Sequence, residues 1–387
     1  METQGSVAVP GENDEWVIHS STQSMNLLQL FTSAVLNVPA HRVTVKVKRV
    51  GGAFGGKANQ SLPPGMWAAV AARALHRPVS VRLTRREDML ITGKRHPAMV
   101  KYRVGVDGNG VLRCAYLKAL TNGGYAMDVS HMVTWLSSAM ADACYLIPTM
   151  RVEGYTLKTN KSSNTAFRGF GAPQAFFAMN GLLSHAAHVL NIPLERIMEM
   201  NFNRSGGVRL SMEPILNDAL LECWNECLQW SDFDERRKEV DLFNKTSKNT
   251  KRGIAMSATR MGLSHPGPYE QAAALVQIFM DGTVAVSIGG IEMGQGLNTK
   301  CLQVTSRALG IPISLITIID ASTDKTCNAP ETGGSQGADI HGRAIQMCCE
   351  KLMVGLRPIL KENPDWQTAV MKAYHMQLPL QASEHMR

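Results

Sequence analysis

The sequence contains no run of about 18 apolar residues, the length that a membrane-spanning helix needs, so we expect no membrane span. The opening METQGSVAVPGENDEW also lacks the basic flank and apolar core of a signal peptide. The net charge is +8, but the basic residues are scattered among acidic neighbours, and no nucleic-acid-binding motif accompanies them. These absences predict a soluble, cytoplasmic globular protein with neither a nucleic-acid nor a membrane partner.

The eight cysteines lack the regular spacing of a secreted disulfide framework, and none of the spacings is typical of an iron–sulfur cluster. Cys223 and Cys227 lie about one helical turn apart, as do His185 and His188. Neither pair is accompanied by the further ligands that a structural zinc ion requires. We therefore expect free thiols and interpret both pairs as core packing.

With 387 residues, of which 44% are hydrophobic and 19% charged, the chain can bury a core in more than one domain. Strand-like runs alternate with helical segments, and the turns DGNG and MDGT predict β-hairpins. A polar, charge-rich stretch follows FNRSGG and marks a candidate boundary. We predict an α+β (mixed α/β) fold with a first domain over residues 1–205, a connecting helical segment over 206–252 and a second domain over 253–387.

Four glycine-rich loops stand beside predicted strands and near helix starts: GGAFGGK at 51–57, FRGFGAPQ at 167–174, GGIEMGQG at 289–296 and ETGGSQGAD at 331–339. The first is close to a P-loop, but Ala58 stands where Ser or Thr would contact Mg²⁺. We expect Pro63 and Pro64 to delay the next helix to about Met66. A nucleotide site is therefore disfavoured, and a ligand-free glycine turn is the alternative.

The loop before Pro173 gives more information about a ligand. Pro173 suits the first turn of a helix, so residues 169–172 should form the loop that enters it. The N–H groups of that turn favour an anion, and Arg168 adds a guanidinium, although it could equally be a structural ion-pair partner. Gln295 and Ser335 offer polar groups in the other loops. The ligand should be large, planar and polar, and a pterin fits better than ATP.

Five segments, in order, resemble the xanthine oxidase/aldehyde oxidase family of molybdenum hydroxylases, and its aldehyde oxidase branch in particular. They are STQ…RVGGAFGGK, REDMLITGKRHP, KTNKSSNTAFRGFGAPQ, GGIEMGQGLNTK and GADIHG. The resemblance extends to about residue 370 and implies a two-domain molybdopterin-binding region. It also implies a molybdenum–molybdopterin cofactor, a homodimer, and hydroxylation of aldehydes and N-heterocycles.

The resemblance also assigns residues to the site. Phe54 and Arg168 would lie near molybdenum, and the substrate pocket would be lined by Phe54, Ala58, Leu136 and Phe170. The cofactor would be held by Gly55, Gly56, Arg168, Gly169, Met293, Gly294, Gln295, Gly296, Gly334, Ser335, Gln336 and Gly337. The xanthine-oxidising branch has glutamate at the position of Ala58 and arginine at about that of Leu136. The resemblance therefore implies an apolar substrate pocket.

Parts of the family pattern are missing. Neither the iron–sulfur and FAD domains nor the late segment with the catalytic glutamate is visible, so no catalytic residue is assigned. We expect a molybdopterin-binding region that is truncated at both ends and is an inactive or shortened fragment. Such a fragment could be the product of a gene copy that is no longer selected for catalysis. The alternatives are a non-catalytic molybdopterin-binding or partner module and a separate molybdenum subunit of a multi-subunit oxidase.

Overall fold

The computed structural model describes residues 1–216, 219–262 and 271–386. The strands within these residues are β1 (Gly5–Pro10), β2 (Trp16–Ser20), β3 (Val43–Val47), β4 (Val79–Arg82), β5 (Ala98–Val106), β6 (Leu112–Gly124), β7 (Thr149–Lys158), β8 (Ala272–Ile278), β9 (Val284–Ile288), β10 (Ile316–Ile318), β11 (Ala321–Ser322) and β12 (Gln381–Met386). The helices are α1 (Met25–Leu36), α2 (Leu62–Leu75), α3 (Arg85–Ile91), α4 (Ser130–Ala139), α5 (Ala172–Leu190), α6 (Leu194–Met200), α7 (Ala219–Trp230), α8 (Phe233–Thr246), α9 (Leu297–Leu309), α10 (Gly337–Glu362) and α11 (Trp366–His375).

The chain folds as two compact units that do not follow chain order. Unit 1 comprises Met1–Lys94, Thr165–Phe167 and Gly262–Arg387, and unit 2 comprises Arg95–Asn164 and Arg168–Met261. The domain boundaries that the composition suggests near residues 205 and 252 remain a prediction.

Unit 1 contains two sheets that share one topology. The first has the strand order β3–β2–β1–β4, with β11 added beyond β3, and the second has the order β10–β9–β8–β12. In each sheet the first two strands form an antiparallel hairpin, and the third strand is parallel to the second. The fourth strand is antiparallel to the first. We call these sheets with their helices the first motif (residues 5–82) and the second motif (residues 272–386).

Unit 2 repeats the first part of this topology. Its sheet has the order β5–β6–β7, in which β5 and β6 form an antiparallel hairpin and β7 is parallel to β6. Helix α4 connects the parallel pair, as α1 and α9 do in unit 1. The order strand, strand, helix, strand therefore occurs three times, although the sequence shows no close internal repeat. The hairpins predicted at DGNG and MDGT are confirmed.

The topology decides where the glycine loops lie. The second and third strands of each motif are parallel and joined by a helix, so their carboxyl ends lie at the same edge of the sheet, where ligands bind in open α/β sheets. The 51–57 loop follows β3, the 167–174 loop follows β7, and the 289–296 loop follows β9. The 331–339 loop lies between β11 and α10, in the long connection that follows β10. The first three loops thus leave the carboxyl ends of parallel strands, whereas the fourth follows β11, which is antiparallel to β3.

Apolar side chains on one face of each element build the cores. In β3, Val43, Val45 and Val47 alternate with polar residues and are buried, as expected for a half-buried strand. The 26-residue helix α10 buries a continuous stripe against the second sheet, including Ile345, Leu352 and others at helical spacing. In the described part of the chain, no helix has both the length and the hydropathy needed to cross a membrane.

Two helix starts test the proline arguments. Helix α5 begins at Ala172 with Pro173 in its first turn, which confirms the predicted entry loop. Helix α2 begins at Leu62, so the expected delay to Met66 is wrong. Its two prolines lie in the first turn, where their missing N–H groups would have had no helical partner.

The interpretation of two residue pairs as core packing is also wrong. Cys223 and Cys227 are exposed on α7, a helix that buries Trp224. His185 and His188 are exposed on α5, and Nδ1 of His185 lies 3.2 Å from the Tyr102 hydroxyl. In α5 the buried positions lie on the face opposite the two histidines.

Gly171, which precedes the first residue of α5, and Gly181, which lies within α5, provide a matched test of how this helix packs. A Cβ at Gly171 would lie 2.3 Å from the Val133 carbonyl oxygen, whereas a Cβ at Gly181 would meet nothing within 4 Å. We expect Gly171→Ala to destabilise the protein by about 1–3 kcal/mol, because the Val133 backbone has to shift. Gly181→Ala should stabilise it by about 0.5–1 kcal/mol through helix propensity. Denaturant unfolding measures both, and equal effects would contradict this packing.

Candidate cofactor-binding site

Three of the glycine loops meet within unit 1. The backbone N–H of Val50 donates to the carbonyl of Glu292 (2.9 Å), which joins the 51–57 loop to the 289–296 loop. The backbone N–H of Ile291 donates to Oγ1 of Thr332 (2.9 Å), which joins the 289–296 loop to the segment that begins at residue 331. The loops are therefore connected by hydrogen bonds and form one surface.

Gln23 lies beneath this surface and is only 3% exposed. Its Oε1 accepts from the N–H groups of Gly55 (3.0 Å) and Lys57 (3.2 Å), and its Nε2 donates to the carbonyl of Thr332 (2.7 Å). Its backbone also bonds to Lys57 and Thr332. From the sequence, Gln23 stands out only as part of the STQ segment of the family resemblance, which implies no role for it. The usable signal was an amide directly after a strand, at the edge where the glycine loops begin.

Lys57, the lysine of the P-loop-like GGK, does not face a phosphate site. It is 2% exposed, and its Nζ lies 2.9 Å from Oε2 of Glu2. Burial raises the pKa of Glu2, but the hydrogen bonds from Lys57 and the Gly51 N–H, with the charge of Lys57, outweigh it and lower this pKa. For Lys57, burial lowers the pKa although Glu2 opposes the change. The pair holds the loop against the segment 1–4.

The 289–296 loop is organised by Glu292. One carboxylate oxygen accepts from the N–H groups of Gly294 (2.8 Å) and Gly296 (3.1 Å), and the other accepts from Asn298 (3.0 Å) at the start of α9. Burial raises the pKa of Glu292, but these three N–H donors and Arg49 outweigh it and lower this pKa. The amide of Gln295 bonds within its own loop, to Met293 N–H and the Ile291 carbonyl. The loop is therefore pre-organised, and Met293 packs partly against the core of the first motif.

Three site residues predicted from the sequence have left-handed backbone conformations that non-glycine residues seldom adopt. Phe54 has φ +57°, Phe170 has φ +55° and Ser335 has φ +59°, each next to a glycine with positive φ. Such conformations are costly, and they cluster at ligand sites and active sites. Phe54 is 46% exposed and Ser335 is also exposed, so neither conformation is explained by core packing.

The remaining predicted site residues belong to unit 2. Gly171 lies directly against α4, because a Cβ there would approach the backbone of Leu136 to 3.1 Å. Arg95, which the sequence analysis did not select, donates to the carbonyls of Arg168 and Phe170. Unit 2 therefore brings the 168–170 loop to the helix that carries Leu136. Convergence of this fourth loop with the other three remains a prediction.

The loops of unit 1 fit a large polar ligand. At Gly294 and Gly296, no atom of the residues that the structure describes lies within 4 Å of the position of a Cβ, so a ligand can approach their backbone. Helix α10 begins at Gly337 with no side-chain cap from the described residues, and the N–H groups of its first turn suit an anionic group. Buried Oε1 of Gln4 lacks a hydrogen-bond partner within the described parts of the chain, and Nε2 of the same amide donates to the Gly56 carbonyl (2.9 Å).

Comparison with known proteins gives the family. Two models, each described as a molybdopterin cofactor-binding domain, match residues 1–202 and 226–387. Probable aldehyde oxidase gad-3 of Caenorhabditis elegans is 46% identical over 100% of this chain and 31% of its own length. Aldehyde oxidase 3 of Mus musculus is 42% identical over 100% of this chain and 29% of its own length. Xanthine dehydrogenase of Calliphora vicina is 39% identical over 99% of this chain and 28% of its own length.

The chain belongs to the xanthine oxidase/aldehyde oxidase family of molybdenum hydroxylases. It spans less than a third of the length of these curated relatives. The predicted resemblance to a molybdopterin-binding region and the predicted molybdenum–molybdopterin cofactor are confirmed. The residues that hold the cofactor remain a prediction.

Two solved structures of oxidoreductases confirm the predicted fold class. Quinoline 2-oxidoreductase from Pseudomonas putida 86 superposes with a TM-score of 0.87 at 22% identity, over 100% of this chain and 55% of that chain. Aldehyde oxidoreductase from Desulfovibrio gigas superposes with a TM-score of 0.85 at 23% identity, over 99% of this chain and 42% of that chain. At these identities the likeness concerns the fold alone.

The role of Glu292 in this molybdenum hydroxylase region can be tested by Glu292→Gln. The amide cannot accept from all three N–H groups without turning its NH₂ toward one of them, so we expect a loss of about 1 kcal/mol in unfolding free energy at pH 7. Because folding lowers this pKa below its ordinary 4.5, the loss should shrink as the pH falls through the lowered value. Denaturant unfolding at several pH values measures it.

The control is Glu331→Gln. The Glu331 carboxylate makes no hydrogen bond with the described residues, so this variant should unfold like the unchanged protein at every pH. A pH-independent loss at Glu292, or equal losses at both positions, would contradict the account.

Proposed function

We propose that this chain forms the molybdopterin-binding part of an aldehyde oxidase-type enzyme that hydroxylates aldehydes and aromatic N-heterocycles. The bound cofactor would supply the oxidising chemistry at an electrophilic carbon of the substrate. The chain's own residues would bind the cofactor, orient the substrate and exclude water. From the family resemblance we further propose that the enzyme acts in the cytoplasm as a homodimer.

The observation that carries the substrate class is the apolar character of two positions. Ala58 is 7% exposed and offers no polar side-chain atom, and Leu136 packs against the small apolar cluster of Met140, Ala172 and Ala175. A purine such as xanthine presents several polar edges, and each one left without a partner in an apolar pocket costs binding energy. The matching relatives include both aldehyde oxidases and xanthine dehydrogenases. The apolar residues at positions 58 and 136 support the aldehyde oxidase type.

The loops supply the remaining parts of the proposed site. Phe54 and Phe170, both in left-handed conformations, would place aromatic rings beside the substrate and, for Phe54, the metal. Gly55, Gly56 and the 293–296 loop would let the pterin approach the backbone. Residues 334–337 at the start of α10 would receive its anionic end, because the first turn of a helix favours negative charge.

The substrate proposal can be tested in a full-length chimera in which residues 1–387 replace the matching part of mouse aldehyde oxidase 3. We expect the chimera to oxidise an aromatic aldehyde over many turnovers and to leave xanthine unchanged, because no polar group at positions 58 and 136 contacts a purine. The measurement is product formation from each substrate under the same conditions.

The matched variant is Ala58→Glu in the same chimera. A carboxylate at this position, which is 7% exposed, should weaken aldehyde oxidation by at least about tenfold in kcat/KM. Turnover of xanthine by the unchanged chimera would show that the substrate proposal is wrong. Unchanged aldehyde kinetics in Ala58→Glu would show that position 58 does not line the pocket.

A further inference from the structure

We propose that Gln23 is a positioning residue that holds the loops of the two motifs of unit 1 in register for cofactor binding. The proposal rests on the proposed cofactor site and adds the group that holds its loops in register. Gln23 belongs to the first motif, whereas Thr332 belongs to the second.

The amide of Gln23 bonds to both motifs with different atoms. Its oxygen accepts from Gly55 and Lys57, and its nitrogen donates to Thr332 at 2.7 Å. Since the side chain is 3% exposed, water cannot readily replace a lost bond, and an unpaired group would carry its full desolvation cost. Thr332 passes the link on, because its Oγ1 accepts from Ile291 at the start of the 289–296 loop. One amide thus connects all three loops.

The two motifs also contact each other away from Gln23. Strand β11 pairs with β3, the hydroxyl of Thr323 accepts from Val45 N–H (3.0 Å), and Asn26 donates to the Ala329 carbonyl. These bonds do not involve Gln23. Loss of the Gln23 link should therefore loosen the loops relative to one another while the motifs remain docked. A ligand that contacts loops from both motifs would then bind a less ordered site.

The decisive variant is Gln23→Glu, which has the same shape. Its carboxylate can still accept from Gly55 and Lys57 but cannot donate, so two acceptor oxygens face each other at Thr332. The matched control is Gln29→Glu, because Gln29 also donates through Nε2 to backbone carbonyls, those of Ala40 and Val43, away from the loops. Both variants add one negative charge to unit 1.

Two measurements are made on the full chain: hydrogen exchange of the cofactor-free protein, and binding of metal-free molybdopterin followed by pterin fluorescence. For Gln23→Glu we expect faster exchange at the Thr332 and Ile291 amides, continued protection at Gly55 and Lys57, and about tenfold weaker molybdopterin binding, the factor that the loss of one hydrogen bond gives. Gln29→Glu should match the unchanged protein in both. The cofactor should also raise the unfolding temperature less in Gln23→Glu than in the control.

Equal molybdopterin affinities for Gln23→Glu and Gln29→Glu would overturn the proposal and leave the cofactor site intact. No binding by the unchanged chain would overturn the cofactor site on which the proposal rests. If Gln23→Glu does not fold, Thr332→Val replaces it. That variant removes the acceptor for Ile291 N–H and keeps the backbone bonds to Gln23, so it should also weaken binding about tenfold. Unchanged binding in Thr332→Val would overturn the proposal.

Discussion

The glycine loops of unit 1 depend on buried polar side chains, because backbone N–H and C=O groups removed from water need partners. Gln23, Thr332 and Glu292 supply those partners from below and from within the loops. Without them, loops rich in glycine would sample many conformations, since glycine restricts the backbone least. The loop surface can therefore be ordered before a ligand arrives, which reduces the entropy lost on binding.

The same arrangement occupies two charged side chains of the loops. Lys57 is bound to Glu2, and the Glu292 carboxylate is occupied by three N–H groups. Both charges are used in holding the loops and not in meeting a ligand. What remains toward a ligand is the open backbone of Gly294 and Gly296 and the uncapped start of α10. This set of groups suits a large ligand with polar edges and one anionic end better than a highly charged nucleotide.

Much of the fold followed from local sequence signals. Alternation in VTVKV predicted a strand, DGNG predicted a hairpin, and Pro173 predicted the start of α5. The repeated topology could not be predicted from local signals, because it is a property of strand pairing between distant segments and leaves no close sequence similarity. The first strand of each sheet in unit 1 pairs on both sides, which no local window can show.

The candidate site was predictable in part for a similar reason. Glycines and Pro173 mark loops by their backbone requirements, so the four segments could be found one at a time. The roles of Gln23 and Glu2 depend on hydrogen bonds to residues more than thirty positions away, at Gly55 and Lys57. The exposed positions of Cys223 and Cys227 depend on which face of α7 is buried, and their spacing alone is compatible with either face.

The central claim is that three loops, at 51–57, 293–296 and 334–337, form one molybdopterin site. The most direct measurement is a crystal structure of the chain with molybdopterin bound. The account predicts that the pterin and its phosphate lie within hydrogen-bond distance of backbone groups from all three loops, with Gln23 still bonded to Gly55, Lys57 and Thr332. A cofactor held by one loop only, or bound elsewhere on the chain, would contradict it.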